Sequence, residues 1–384
     1  MGYIPYGRQS ITEEDIAAVV QVLRSDWLTQ GPSVPLFEKA VCDATGAKYA
    51  LAVSNATAAL HLACLALGLA PGKRLWTVSN TFLASANCGR YCGAAVQFVD
   101  IDPRTYCLSV DALRAKLEQA ERDGTLPDVL VAVDFAGQPC DYTHVVDLKR
   151  RYGFRLIEDA SHAIGATYGD FRVGSIPGVD CTVFSFHPVK LITTGEGGMV
   201  LTDDAAIAHQ LGLLRSHGIE RTPGLLQDQT QGAWYYEQQT LGFNYRMTDM
   251  QAALGCAQML RLPAFLARRR ALCARYDEAL ASLPLVLPWQ APQTCSARHL
   301  YPVLLPDAAR RAKLFAQMRA ADIGVQVHYV PVHLQPYYRA LGSQEGDCPV
   351  AEAYAARTLS LPMYADLSDA QQDEVIARLK EFLT

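Results

Sequence analysis

Hydrophobic and polar positions change period several times along the chain. From about residue 48 to 202, short apolar runs alternate with stretches of helical spacing. Tyr49–Val53, Leu75–Val78, Val96–Asp100, Val129–Asp134, Arg155–Glu158, Thr182–Phe186 and Met199–Leu201 read as strands. Thr57–Leu69 and His144–Tyr152 read as helices between them. Strands spaced by helices imply βαβ crossovers and a largely parallel sheet, with ligands gathered at the strands' carboxyl ends. Upstream, Thr12 opens Thr-Glu-Glu-Asp, whose acids suit a helix N-terminus. After residue 247 a helical pattern runs to about 282, with Pro263 expected to interrupt it. The pattern then changes to a strand (His299–Leu305), a helix (Ala308–Ala321), a strand (Val325–Tyr329) and a last helix opened by the capping box Ser368-x-x-Gln371.

The 384 residues exceed what one core usually fills, so two units are expected: a large α/β domain over 1–260 and a smaller α+β domain over 261–384. Half of the residues are hydrophobic and 19% are charged, as in an ordinary globular enzyme. A net charge of -5 with scattered basic residues gives no footprint for nucleic acid. The tightest basic cluster, Arg268-Arg269-Arg270, reads as a solvated helix face. The first residues lack the basic and apolar regions of a secretory signal, and no apolar run reaches membrane-spanning length. Eleven cysteines without an export signal fit reduced thiols, and a cytoplasmic location is expected. Cys88 and Cys92 lack a second matched ligand pair, so core packing suits them better than metal.

The candidate chemistry begins in Phe184-Ser-Phe-His-Pro-Val-Lys190, followed by the Gly-rich turn Thr-Thr-Gly-Glu-Gly-Gly198. A lysine just past a strand end can sit in a cleft, where burial lowers its pKa and makes it nucleophilic. Taken alone, a lysine is more often a solvated surface charge. Arg155-Leu-Ile-Glu-Asp159-Ala-Ser-His162 is a strand ending in an acid. A pyridoxal site needs a carboxylate against its pyridine nitrogen, and Asp159 could also cap a following helix. Val53-Ser-Asn-Ala56-Thr57 is a strand, a polar turn and the first turn of a helix. Its free amides and the Thr57 hydroxyl suit an anion, or plain N-capping. Nucleotide-loop patterns are absent.

These segments together resemble one family, the DegT/DnrJ/EryC1/StrS sugar-nucleotide aminotransferases. The resemblance also includes Gly242-Phe-Asn-Tyr-Arg-Met-Thr-Asp-Met-Gln-Ala-Ala-Leu-Gly255 and covers nearly the whole chain. It implies the aspartate-aminotransferase-like fold (fold type I) and pyridoxal 5'-phosphate as cofactor. It further implies that Lys190 is the Schiff-base lysine, Asp159 the pyridine-nitrogen partner and His162 the residue beside the cofactor hydroxyl. Ala56, Thr57 and Ser185 match the phosphate site, and Phe82 falls where a side chain covers the ring or simply packs in the core. Asn244 matches an asparagine that reaches the neighbouring subunit's phosphate, implying a homodimer with shared sites. Relatives with histidine at the lysine position are dehydrases; Lys190 favours transamination.

Other segments are similar to the 4-aminotransferases of pseudaminic acid biosynthesis: Trp27-Leu-Thr-Gln-Gly-Pro32, Asp134-Phe-Ala-Gly-Gln138, His299-Leu-Tyr-Pro302 and Gly324-Val-Gln-Val-His-Tyr-Val-Pro-Val-His333. This implies L-glutamate as amino donor and UDP-2-acetamido-2,6-dideoxy-β-L-arabino-hex-4-ulose as acceptor. Tyr6, Trp27, Leu28, Thr29, Gln30, Arg246, His328, Tyr329 and His333 are the candidate substrate contacts. His328 and His333 could suggest a metal, but no third ligand is patterned with them, and no metal is expected. Two alternatives stand beside this reading. One is an aminotransferase for another keto sugar, of perosamine or bacillosamine type. The other is a non-catalytic cofactor-binding regulator, which would carry a DNA-binding segment; none precedes Tyr3.

Overall fold

The computed structural model describes residues 2–383. Its centre is a seven-stranded sheet built from β1 (Tyr49–Val53), β2 (Arg74–Val78), β3 (Ala95–Val99), β4 (Val129–Val133), β5 (Arg155–Asp159), β6 (Cys181–Ser185) and β7 (Gly198–Thr202). The order is β1-β7-β6-β5-β4-β2-β3, and only β7 runs against its neighbours. β4 is buried at every position, as its continuous apolar run Val-Leu-Val-Ala-Val requires with both faces covered.

Helices α1 (Glu13–Leu23), α2 (Ser33–Thr45), α3 (Ala56–Ala66), α4 (Ala84–Tyr91), α5 (Val110–Asp123), α6 (Tyr142–Tyr152) and α7 (Ala205–Arg215) flank or precede the sheet, and α8 spans Asp249–Leu280. α3 is apolar nearly all round and buries Ala58–Cys64, the pattern of an interior helix. Pro263 does not interrupt α8. Leu262, Phe265 and Leu266 beside it are buried, so packing on both sides holds the helix across the missing N–H. The basic run is only in part a solvated face: Arg270 is exposed and Arg268 half-buried, but its middle residue turns inward. Arg269 is fully buried, with Nη1 donating to the His299 and Met363 carbonyls at 3.1 and 3.0 Å.

A second buried cluster gathers Ile4, Leu272, Tyr276, Leu280 and later residues. It includes the antiparallel pair β8 (Tyr301–Leu304) and β9 (Thr358–Leu361), with α9 (Ala308–Ala320) and a last helix, Asp369–Leu383. The last helix has the expected box: Ser368 N donates to Gln371 Oε1 at 3.0 Å, and Gln371 N to Ser368 Oγ at 3.2 Å. Val325–Tyr329 is not a strand. Only Gln326 bridges Ser360, and the Tyr329 amide turns instead to Asn80 Oδ1. The chain's start joins this cluster, because Ile4 N donates to Asp322 O and Gly324 N to Ile4 O. That pairing carries Tyr6 to the His328 ring, 5.6 Å away between centroids. Among the described residues no helix is long and apolar enough to cross a membrane.

Candidate active site

A cavity of about 1010 Å3 opens at the carboxyl ends of the strands. That lies at the upper end of small-molecule sites, roughly 300–1,000 Å3. Lys190, Asp159, His162, Ala56, Thr57, Ser185, Phe82, Tyr6, His328 and Tyr329 all line it.

Sheet register assembles one wall. Val53, Gly198 and Ser185 lie side by side on β1, β7 and β6. The Asn55 side chain caps α3 by accepting from Ala58 N at 2.8 Å. Ala56 and Thr57, in the first turn, have no carbonyl ahead of them in the helix, so their amides are free for an anion. Gly198 is required here: a Cβ on it would lie 2.5 Å from the Asn55 carbonyl carbon and 2.6 Å from Ala56 N.

Asp159 ends β5 and is buried. Its Oδ2 accepts from Ser85 Oγ at 2.6 Å, and its Oδ1 from Ser161 Oγ at 2.5 Å and Ser161 N at 3.2 Å. Thr81 Oγ1 lies 2.7 Å from Ser85 Oγ and extends the chain of hydroxyls. Neither oxygen is tied to a guanidinium or ammonium, so the carboxylate stays open to a cationic partner. Lys190 sits in the turn after β6, its amide donating to His187 O at 2.8 Å. Burial lowers its pKa to about 8, opposed by the Asp159 charge, so the amine is far more often neutral than a surface lysine.

The remaining wall carries imidazoles. The His162 ring packs tilted against His299, 4.5 Å between centroids, with Nε2 3.2 Å from Tyr329 Oη and Nδ1 buried without a partner. Burial, and then the Lys190 and His328 charges, hold His162 well below its usual pKa. Burial and Lys190 push His328 down to about 3. Burial raises the Tyr329 hydroxyl, so it remains protonated.

Several expected contacts lie elsewhere. His333 is fully buried away from the cavity, with Nδ1 on Ser79 Oγ and Nε2 2.8 Å from Glu352 Oε1. Both nitrogens are spent on structure, which removes His333 from the substrate contacts. Trp27, Leu28, Thr29 and Gln30 do not line this chain's cavity. Thr29 pairs with Thr248, Leu28 O accepts from Asp249 N, and Trp27 and Leu28 are exposed, so the segment braces the start of α8. Arg246 bridges Val53 and donates to Ser216 Oγ at 3.0 Å, and Asn244 bridges Ser216; neither lines the cavity. Ser85, Ser161 and His299 were not singled out from sequence. Ser161 and His299 lie within the motifs described above, but nothing in the spacing of Ser85 or Ser161 marks them as carboxylate donors. Among the described residues no group of three or more His, Cys, Asp and Glu is placed to hold a metal ion.

The residues fit pyridoxal phosphate. Free first-turn amides packed against Gly198, a buried carboxylate held by two serine hydroxyls, a lysine with a lowered pKa and a buried imidazole nitrogen without a partner match its phosphate, pyridine nitrogen, aldehyde and polar ring substituent.

Comparison with known proteins agrees. The model of the DegT/DnrJ/EryC1/StrS aminotransferase family matches residues 9–380. The spore coat polysaccharide biosynthesis protein SpsC of Bacillus subtilis is 38% identical over 388 residues, covering 99% of this chain and 97% of that protein. Helicobacter pylori PseC, an aminotransferase involved in the biosynthesis of pseudoaminic acid, superposes with a TM-score of 0.89 at 28% identity, over 99% of both chains. Spr1654 from Streptococcus pneumoniae, solved in a PLP form, superposes with a TM-score of 0.88 at 29% identity, over 100% of both chains. The chain thus belongs to the DegT/DnrJ/EryC1/StrS family and is a pyridoxal-phosphate-dependent sugar aminotransferase.

Proposed function

We propose that this enzyme transfers the amino group of L-glutamate to C4 of UDP-2-acetamido-2,6-dideoxy-β-L-arabino-hex-4-ulose, giving UDP-4-amino-4,6-dideoxy-N-acetyl-β-L-altrosamine for pseudaminic acid. The observation that carries the substrate is the end-to-end likeness to PseC, over 99% of both chains. The UDP link and cytoplasmic location belong to the same reading.

The residue roles are part of the proposal. When bound, pyridoxal phosphate supplies an aldehyde that carries the amino group and a ring that spreads charge from the substrate carbon. Lys190 anchors it and, once released, moves the donor's α-proton as base and then acid, which its lowered pKa favours. Asp159 holds the proton on the ring nitrogen, with Ser85 and Ser161 fixing its orientation. His162 sits beside the ring hydroxyl. Ala56, Thr57 and Ser185 hold the phosphate, Phe82 covers the ring, and Tyr6, His328 and Tyr329 meet substrate. Asn244 reaches the phosphate of the second subunit in a homodimer. Trp27, Leu28, Thr29, Gln30 and Arg246, outside this chain's cavity, act across that interface. The division into 1–260 and 261–384 falls within α8, which runs on to Leu272, Tyr276 and Leu280 of the second cluster.

A second reading has its own support. SpsC is 38% identical against 28% for PseC, which favours a different nucleotide-linked keto sugar. A panel of keto sugars assayed with glutamate separates the two. The L-arabino-4-ulose should be aminated fastest, and a Lys190→Ala variant should lose about a hundred- to ten-thousandfold in turnover. A faster rate on a perosamine or bacillosamine precursor would replace the substrate. A fully active Lys190→Ala would remove the lysine's role.

A further inference from the structure

His299 lines the cavity, yet the roles above leave it unused. Its backbone is clamped on both sides. The amide donates to Ala136 O at 2.9 Å, and the carbonyl accepts from the buried Arg269 Nη1 at 3.1 Å. Gly137 permits this approach, since a Cβ there would lie 3.1 Å from His299 N. The ring, 3% exposed, rests on His162 at 4.5 Å. Its Nδ1 is sealed in without a partner. Among the described residues its Nε2 has no partner either, but it is not sealed, and His299 lines the cavity. His328, which also lines the cavity, is arranged alike: Nδ1 lies 2.9 Å from Ser360 Oγ, and Nε2 has no partner among the described residues.

Both rings are neutral donors. Burial keeps His299 well below its usual pKa, helped by His162, Lys190, Arg269 and His328; burial and Lys190 do the same for His328. A sealed N–H without an acceptor is rarer than a sealed lone pair, so the His299 proton belongs on Nε2. The Ser360 hydroxyl can donate to His328 Nδ1, an arrangement that leaves the His328 proton on Nε2.

Among the described residues lining this chain's cavity, Lys190 is the only lysine or arginine, and its amine is committed to the cofactor; Arg246, placed across the interface in the proposed dimer, already donates to Ser216 Oγ. An amino-acid donor brings a carboxylate one bond from the carbon whose amine must meet that cofactor. Among the lining donors, the Tyr329 hydroxyl faces His162 Nε2 at 3.2 Å, and the imidazoles of His299 and His328 both lie within reach of the Lys190 charge. A keto sugar places no carboxylate there. We propose that the Nε2–H groups of His299 and His328 form the subsite that binds a carboxylate of the amino donor. This rests on the amino-acid-donor reading above.

The test separates the half-reactions of the holoenzyme. With cofactor bound, the visible spectrum is followed against L-glutamate concentration. With the pyridoxamine form, it is followed against the keto sugar. His299→Phe keeps a ring against His162 and removes the donor; His299→Gln restores an N–H near the same place. His299→Phe should raise the half-saturating glutamate concentration about 10- to 100-fold, the cost of a donor to a charged acceptor. The glutamate loss should exceed the loss in the sugar half-reaction at least tenfold, and His299→Gln should recover part of it. Equal losses in both half-reactions, or no change with glutamate, would overturn the subsite and leave His299 a packing residue. A wild-type enzyme that takes its amine from a donor lacking a carboxylate would defeat the donor reading, and the subsite with it.

Discussion

The cavity has two walls, and they are made differently. One comes from consecutive strand ends: Val53, Gly198 and Ser185 abreast in the sheet, with Asp159 closing β5. Its groups are backbone amides, a carboxylate and hydroxyls set by register. The other comes from Tyr6, His299, His328 and Tyr329, brought together by the chain's start docking on residues 322–324 and by Arg269 gripping His299 O. Its groups are neutral rings whose protonation depends on burial. The first wall has little freedom to vary without losing the cofactor. The second can be changed residue by residue to suit a different substrate.

The sharpest way to break this contrast is to disturb the first wall without touching any polar group. Gly198→Ala does so, because the new methyl would lie 2.5 Å from the Asn55 carbonyl carbon, a backbone atom that cannot rotate away. The first turn of α3 must shift. Overpacking of this kind costs about 1–3 kcal/mol; carried over to the phosphate site on the shifted turn, that corresponds to roughly 5- to 150-fold weaker cofactor binding. Titrating apoprotein with pyridoxal phosphate by absorbance reads it directly. Wild-type affinity in the alanine variant would mean that the phosphate does not sit on α3.

A smaller effect concerns the amine between the walls. With the Lys190 pKa lowered to about 8, the reactive neutral form increases as pH rises through that value. From pH 7 to pH 9 the neutral fraction climbs from about a tenth to about nine tenths. Covalent capture of pyridoxal phosphate by the apoprotein should therefore speed up about tenfold over that range and then level off. A rate still climbing tenfold per pH unit above pH 9 would indicate an ordinary surface lysine.

The two walls also differed in how far the sequence disclosed them. The strand ends at Asn55, Asp159 and Ser185 are local, and their apolar runs can be seen in a short window; only Asn55 caps a helix, whereas turns follow Asp159 and Ser185, so Asp159 has no helix to cap. His299 and His328 depend on contacts across long stretches of chain. No local pattern says that Gln326 will leave the ladder after one bridge to Ser360, or that the middle of an Arg-Arg-Arg run will turn inward. Pro263 misled for the same reason: the rule for proline in an isolated helix is local, whereas buried Leu262, Phe265 and Leu266 decide here. His333 was grouped with His328 by proximity in sequence, yet it turns to Ser79 and Glu352 instead of the cavity.

His333 supplies the mildest test, in which the second wall should barely notice a nearby loss. The ring joins Ser79, just past β2, to Glu352 in the helix Pro349–Arg357, and it is fully buried. His333→Leu keeps the volume but strips both partners. Ser79 is itself buried, so its hydroxyl loses a partner where water cannot replace it. The expected cost is about 1–3 kcal/mol of stability, read from chemical denaturation of the holoenzyme. The Michaelis constants for glutamate and keto sugar should stay within about twofold, since a 0.4 kcal/mol change in binding is about a factor of two. A Michaelis constant that rises tenfold at unchanged stability would return His333 to the substrate contacts and move the boundary of the variable wall outward to include it.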